Sequence, residues 1–115
     1  AGFICSLWRT HFREKNMTEI KLARVYMSES EDHLNKVLKI LHNEIKVQHV
    51  VVLRGIEGFE KGGKVQTSYF LSLSLDLPLV VEFFDTPEQV AKATAKIQGI
   101  IDKGHILILQ GQVVS

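Results

Sequence analysis

Apolar side chains follow two rhythms along this chain, and the switches between them outline its elements. Ile20 to Met27 runs without a breaker and includes Val25 and Tyr26, so it reads as a strand. Ser28 and Glu31 then have capping-box spacing, and the acids around them suit a helix N-terminus. Leu34, Val37, Leu38, Leu41 and Ile45 recur at helical spacing and predict an amphipathic helix. Gln48 to Leu53 is a second predicted strand, and Leu79 to Phe84 a third, opened by Pro78 at a position a strand tolerates. Thr86 can cap a second helix, with Pro87 at its first position and Gln89 completing the box. Val90, Ala93, Ile97, Ile100 and Ile101 give that helix its buried stripe, Gly104 ends it after Lys103, and His105 to Val114 is the last strand.

The predicted order is β-α-β, a long loop, then β-α-β. This split βαβ repeat packs two helices on one face of a four-stranded antiparallel sheet, an α+β sandwich of the ferredoxin-like type. Val50-Val51-Val52-Leu53, Leu79-Val80-Val81 with Phe83-Phe84, and Ile106-Leu107-Ile108-Leu109 do not alternate with polar residues. In a strand such runs point apolar side chains to both faces. Two helices cover one face only, and a large bare apolar face is a liability. Another copy of the chain is the cover this pattern predicts.

At 115 residues with 45% hydrophobic content, the chain has the length of one domain with one core. Its net charge of +1 gives no electrostatic case for nucleic acid. Cys5 is the only cysteine, which excludes a disulfide framework and fits a reducing cytoplasmic setting. No apolar run approaches the roughly 18 residues that span a bilayer. Residues 1–16 differ from the rest: they hold the only Cys and the only Trp, with Arg9, Arg13 and Lys15 against Glu14. They read as an extension outside the core fold, which is complete over residues 17–115.

The long loop concentrates candidate chemistry. Arg54 to Lys64 holds four of the eight glycines and three basic side chains in eleven residues. Glycine lets backbone N–H groups approach a ligand closely, and Arg54, Lys61 and Lys64 add positive charge. An anion-binding loop and a surface hairpin with solvated charges are both consistent with this composition. The five histidines, His11, His33, His42, His49 and His105, have no zinc-ligand spacing and read as surface or edge residues. Among Asp76, Glu82 and Asp85, Glu82 interrupts an apolar strand and needs a partner if buried. An intersubunit ion pair or hydrogen bond is the expectation there, a catalytic base the alternative. Ser68, Ser72 and Ser74 lack the glycines of a nucleophile elbow. The sequence offers no positive case for an enzyme.

Two motifs carry a resemblance. Val52-Leu53-Arg54-Gly55-Ile56-Glu57-Gly58-Phe59, then Leu73-Ser74-Leu75-Asp76-Leu77-Pro78, followed by Val80-Val81-Glu82 and Asp85, resemble the DUF190 (UPF0166) family of small bacterial and archaeal proteins of unknown function. The resemblance spans about Ile20 to Val114. Family members are similar to the PII signalling proteins, which implies the ferredoxin-like fold and a homotrimer with inward-facing sheets. It also implies an adenine nucleotide, AMP, ADP or ATP, or another small anion in an intersubunit cleft. Arg54, Gly55, Gly58, Phe59, Lys61 and Lys64 then belong to one lining loop, and Lys103 and Gly104 to a second. No cofactor beyond that nucleotide is implied. Glu60 departs from the glycine frequent in the family after Gly-Phe, and the loop before the last strand lacks a glycine-rich cradle. Both departures favour a monophosphate or diphosphate over a triphosphate. A membrane channel or transporter is the protein partner implied by resemblance. The alternative is a divalent-metal-binding trimer like the copper-tolerance protein CutA, which shares the fold and would need clustered His, Cys or carboxylate ligands.

Deletion of residues 1–16 is expected to leave the melting temperature and oligomer size nearly unchanged. Differential scanning calorimetry and light scattering test this; a large loss of stability would place Phe3, Leu7 or Trp8 on the core.

Overall fold

The computed structural model describes residues 17–29, 32–62, 66–67 (backbone) and 77–114. Strand β1 (Met17–Ser28) leads to helix α1 (Leu34–Lys39), which continues as a π-helical segment, Ile40–Ile45. Then follow β2 (His49–Arg54), the short strands β3 (Glu57–Gly58) and β4 (Gln66–Thr67), β5 (Pro78–Asp85), α2 (Pro87–Ile97) and β6 (Ile106–Val114). The main sheet has the order β2-β5-β1-β6 and is antiparallel throughout. This is the expected ferredoxin-like βαββαβ sandwich. The long loop adds a second element that its glycines concealed, a two-stranded β3–β4 hairpin. Among the described residues, no helix is long and apolar enough to cross a membrane.

Period-2 geometry sorts the central strands cleanly. In β5, Leu79, Val81, Phe83 and Asp85 are buried while the intervening residues are half-buried. Ala23, Val25 and Met27 of β1 face the same way, since directly opposed residues share a face and they pair with Phe83, Val81 and Leu79. Val37, Leu41 and Ile45 of the first helix and Val90, Ala93, Ile97 and the following Ile101 complete this core. Ile100 packs against it from the margin.

The second helix starts as its sequence predicts. Thr86 is the N-cap, its hydroxyl accepts from the Gln89 N–H at 3.3 Å, and Pro87 opens the helix. The rest of the box is replaced. The Thr86 N–H donates to Asp85 Oδ1 at 2.7 Å, and the Gln89 amide instead donates to the Ile45 carbonyl at 3.0 Å. Gln89 thereby closes the end of the first helix and ties the two helices together. Asp85 also accepts from the backbone and side chain of Gln48, at 3.0 and 3.4 Å, which fixes the start of β2 beside the end of β5.

Two boundaries differ from the sequence reading. Ser28 does not cap a helix: it remains in β1, paired with Pro78, and α1 begins at Leu34. Cross-strand pairing outweighs the local capping signal here. Gly104 does not end α2, which stops at Ile97; with φ of 80° it serves the turn that delivers the chain into β6. The first helix ends at Lys46, which adopts the left-handed conformation with φ 59°, a place where glycine is usual.

The sheet face away from the helices carries Leu22, Tyr26, Val51, Leu53, Val80, Phe84, Leu107 and Leu109, grouped by the strand register. In its middle, Arg24 Nε donates to Glu82 Oε1 at 2.8 Å. Within the chain, Glu82 thus finds its partner on a neighbouring strand. The adjacent carboxylate raises the Arg24 pKa, first through that hydrogen bond. At both sheet edges even the helix side is open: Val50, Val52 and Ile108 are each 37% exposed. The apolar runs therefore do what their lack of alternation predicts, and among the described residues several of their side chains stay exposed.

Among the described residues, Phe83 is the largest fully buried side chain, and it belongs to the core that both helices help to form. Phe83→Ala is expected to destabilise the fold by about 3–5 kcal/mol, the usual cost of an aromatic-sized void. Urea unfolding followed by circular dichroism should show it as a lower midpoint at unchanged slope.

Candidate functional site

The two motifs that lie apart in sequence meet in space at one end of the sheet. Where β2 stops, the Gly55 N–H donates to the Pro78 carbonyl at 2.7 Å. A Cβ on Gly55 would lie 2.8 Å from Pro78 Cγ, and one on Gly58 would lie 3.2 Å from the same atom. The two glycines are therefore contact surfaces for the proline ring, and they lay the β3–β4 hairpin against the start of β5. Arg54 is ion-paired with Glu29, whose other oxygen accepts from the Leu77 N–H at 3.4 Å, while the Glu29 N–H donates to the Leu77 carbonyl at 2.8 Å. These contacts bind the ends of β1 and β2 and the entry of β5 into one frame.

Beside that frame lies an open cleft of about 430 Å³. Its floor is the end of β1, Tyr26 to Ser28, with Pro78 to Val80 of β5. One wall is the hairpin, through Glu57, Gly58, Phe59 and Glu60; the other is the turn at Gly104 and His105. That turn is closed by the His105 N–H on the Asp102 carbonyl at 3.3 Å and anchored to β1 by the Tyr26 N–H on the His105 carbonyl at 2.8 Å. Across the mouth, His105 Nε2 meets Glu60 Oε2 at 2.9 Å, and its Nδ1 meets the Lys103 carbonyl at 3.0 Å. Burial alone lowers the His105 pKa, but the Lys103 carbonyl, the Glu60 carboxylate and the Asp102 carbonyl outweigh it, so the pKa stands above its ordinary 6.5.

Of the eight residues assigned to a ligand from sequence, Gly55, Gly58, Phe59 and Gly104 line this cleft. Arg54 borders the frame and is engaged by Glu29. Lys61 sits exposed in the hairpin turn before Gly62, which has φ of 82°, and Lys103 is exposed beside Gly104. Lys64 lies outside the described residues, as do Asp76 and the three loop serines. Sequence reading missed Tyr26, Ser28, Glu57, Pro78 and His105. The signal for His105 was its place directly after a turn glycine; the contact that gives it meaning spans 45 positions in the chain.

The cleft offers two carboxylates, a histidine, and two aromatic side chains, Tyr26 and Phe59, that are 40% and 72% exposed. Backbone at glycines and an aromatic ring suit a flat base; turn N–H groups and nearby lysines suit an anion. Among the described residues, no group of three or more His, Cys, Asp or Glu side chains could hold a metal ion.

Comparison with known proteins agrees with this fold. The family model DUF190, described as Uncharacterized ACR, matches residues 20–113. A UPF0166 protein of Aquifex aeolicus (strain VF5) is 35% identical over 72 residues, covering 60% of this chain and 70% of the relative. Among solved structures, CPII of Thiomonas intermedia K12, a nitrogen regulatory PII-like protein bound to ADP, AMP and bicarbonate, superimposes with a TM-score of 0.70 at 12% identity, over 88% of this chain and 93% of CPII. A second CPII structure, bound to ADP and bicarbonate, gives a TM-score of 0.64 at 12% identity, over 88% and 94%. At such identities the likeness establishes the fold.

Gly55→Ala is expected to push the hairpin off Pro78 and to cost about 1–3 kcal/mol, the scale of overpacking at a tight contact. Gly62→Ala should act differently, since the space there is open and only the left-handed backbone is strained. Thermal melts of the two variants, with hydrogen exchange at the backbone N–H of position 55, check this: exchange there should accelerate only in the first.

Proposed function

The chain belongs to the DUF190 family, and from that membership we propose that it is a PII-like regulatory binding protein that senses an adenine nucleotide or another small anion. The observation that carries the reading is the convergence of two loops on one cleft. The glycine-bearing hairpin and the Gly104 turn, far apart in sequence, form its facing walls. The ligands held by CPII, namely ADP, AMP and bicarbonate, set the chemical classes to consider first. In this reading Phe59 stacks on the base, and Gly55, Gly58 and Gly104 allow close backbone approach. Arg54, Lys61, Lys64 and Lys103 supply charge to the phosphate, Arg54 by exchanging Glu29 for it. The two carboxylates in the cleft weigh against a triphosphate and favour AMP or ADP.

The assembly we propose is a homotrimer. Its support is the apolar sheet face and the two apolar edges left open by a single copy. Nucleotide binding then alters the hairpin, and the hairpin signals to a protein partner, for which a membrane channel or transporter is the first candidate. The role is binding rather than catalysis, in a cytoplasmic setting.

Thermal-shift measurements with AMP, ADP, ATP, bicarbonate and divalent metals, together with light scattering, test the reading. AMP or ADP is expected to raise the melting temperature more than ATP does; a ligand at 100 times its Kd stabilises by about 2.7 kcal/mol. The mass is expected near three times 13.0 kDa. A folded monomer, or no shift with any nucleotide or anion at millimolar concentration, would overturn it. A shift with a divalent metal alone would turn the assignment to the metal-binding trimer.

A further inference from the structure

The mouth of the cleft already holds a carboxylate, that of Glu60. His105 presents Nε2 to the Glu60 carboxylate at 2.9 Å and Nδ1 to the Lys103 carbonyl at 3.0 Å. Both partners can only accept a hydrogen bond. A neutral imidazole has one N–H and satisfies only one of them, whereas the imidazolium satisfies both. A charged histidine at the lip of a ligand cleft, facing a carboxylate carried on a separate hairpin, is a receptor with its place taken.

We propose that His105 is an anion-binding residue of the cleft and that Glu60 is its built-in competitor, holding the position that a phosphate or bicarbonate oxygen of the ligand takes. The proposal rests on the nucleotide-and-anion reading and adds to it the group that recognises the anion and the contact that gates it. The two halves of the pair are held differently. His105 is fixed on both sides, by Tyr26 N–H on its carbonyl and by its own N–H on Asp102. Glu60 has a side chain 75% exposed, just past the packed glycines of the hairpin, whereas that of His105 is 25% exposed. Displacement by an incoming anion therefore frees the hairpin and leaves the histidine in place. Ligand occupancy is thus converted into a change in the hairpin.

Among the described residues, the other titratable and charged groups around His105 are Glu57 of the hairpin, Tyr26 of β1, and Asp102 and Lys103 of its own turn. The Glu60 carboxylate is one of the groups that raise the His105 pKa above 6.5. For a raised histidine, the favourable contribution is fully present below the unfolded value and is lost as pH rises through the folded value. The clasp, and any anion bound in its place, should therefore weaken on going from mildly acidic to mildly alkaline pH.

Glu60→Gln keeps the shape and removes the competing charge at an exposed position. Titration calorimetry with AMP and with bicarbonate, at about pH 6 and about pH 8, compares it with the parent chain. The variant is expected to bind roughly tenfold tighter near pH 6, the scale of one charge-assisted hydrogen bond released from competition, with a smaller gain near pH 8. The double variant with His105→Gln should lose that gain. The NMR titration of the His105 ring should shift to lower pH in Glu60→Gln, a readout that needs no ligand. Equal affinities in parent and variant, a gain that survives His105→Gln, or an unshifted His105 titration would each overturn the proposal while leaving the nucleotide reading standing. Absence of AMP, ADP and bicarbonate binding in both proteins would overturn both.

Discussion

The contact on which the cleft depends is the close approach of a glycine backbone to a proline ring. Pro78 opens β5, where its missing N–H costs no ladder bond, and its carbonyl still accepts from Gly55 at 2.7 Å. Any side chain at Gly55 would stand 2.8 Å from the ring, so only glycine permits the hairpin to lie down at this point. The hairpin's position fixes where Phe59 and Glu60 stand, and hence the wall and the mouth. The two sequence motifs are therefore one structural unit: the glycines of the first are shaped to the proline of the second. Arg54 and Glu29 brace the same junction from the other side, so the charge that composition suggests for a ligand has a structural post as well.

The open sheet face poses a different physical problem. It is largely apolar, with His49 stacked on Phe84 at one edge and, in its middle, Arg24 and Glu82, which pair directly across adjacent strands with side chains 42% and 25% exposed. Exposed to water, such a pair contributes little. Covered by another surface, an unpaired Glu82 would be strongly unfavourable, whereas a pair already formed can be buried as a unit. The covering surface then needs no charge of its own. This accounts for a carboxylate in the middle of an otherwise apolar strand without assigning it any chemistry, and it makes the face compatible with a second copy of itself.

Legibility followed the range of each interaction. Thr86-Pro87 marked α2 because a cap and an N1 proline act within one turn. The paired apolar runs marked the sheet, and their failure to alternate marked a second apolar face, because period 2 is a property of the strand alone. The start of α1 was misread because Ser28 and Glu31 carry a local signal that Ser28 forfeits by pairing with Pro78, 50 residues away. The π-helical segment and the left-handed Lys46 carry no residue signature at all. In the site, glycines declared the hairpin's backbone, so four lining residues were readable; Tyr26 and Glu57 looked like ordinary strand and loop residues. Glu60 was noticed only as a charge hostile to phosphate. Its partner, His105, could not be supplied by spacing, since the fold alone brings the two together.

The placement of the cleft relative to the edges links assembly with binding. β2 is one edge of the sheet and β6 the other, and both leave apolar side chains open. β2 runs out into Arg54 and Gly55, and β6 begins just after Gly104 and His105. The two bare edges therefore terminate at opposite walls of the same cleft. A second copy that covers either edge is brought against a wall of the cleft, whichever edge it uses. Ligand in the cleft and contact at the edges would then meet at the same strand ends. The hairpin is the part best able to report that meeting. Gly55 and Gly58 tie it to Pro78 at its base, while Glu60, farther along, meets His105 across the mouth.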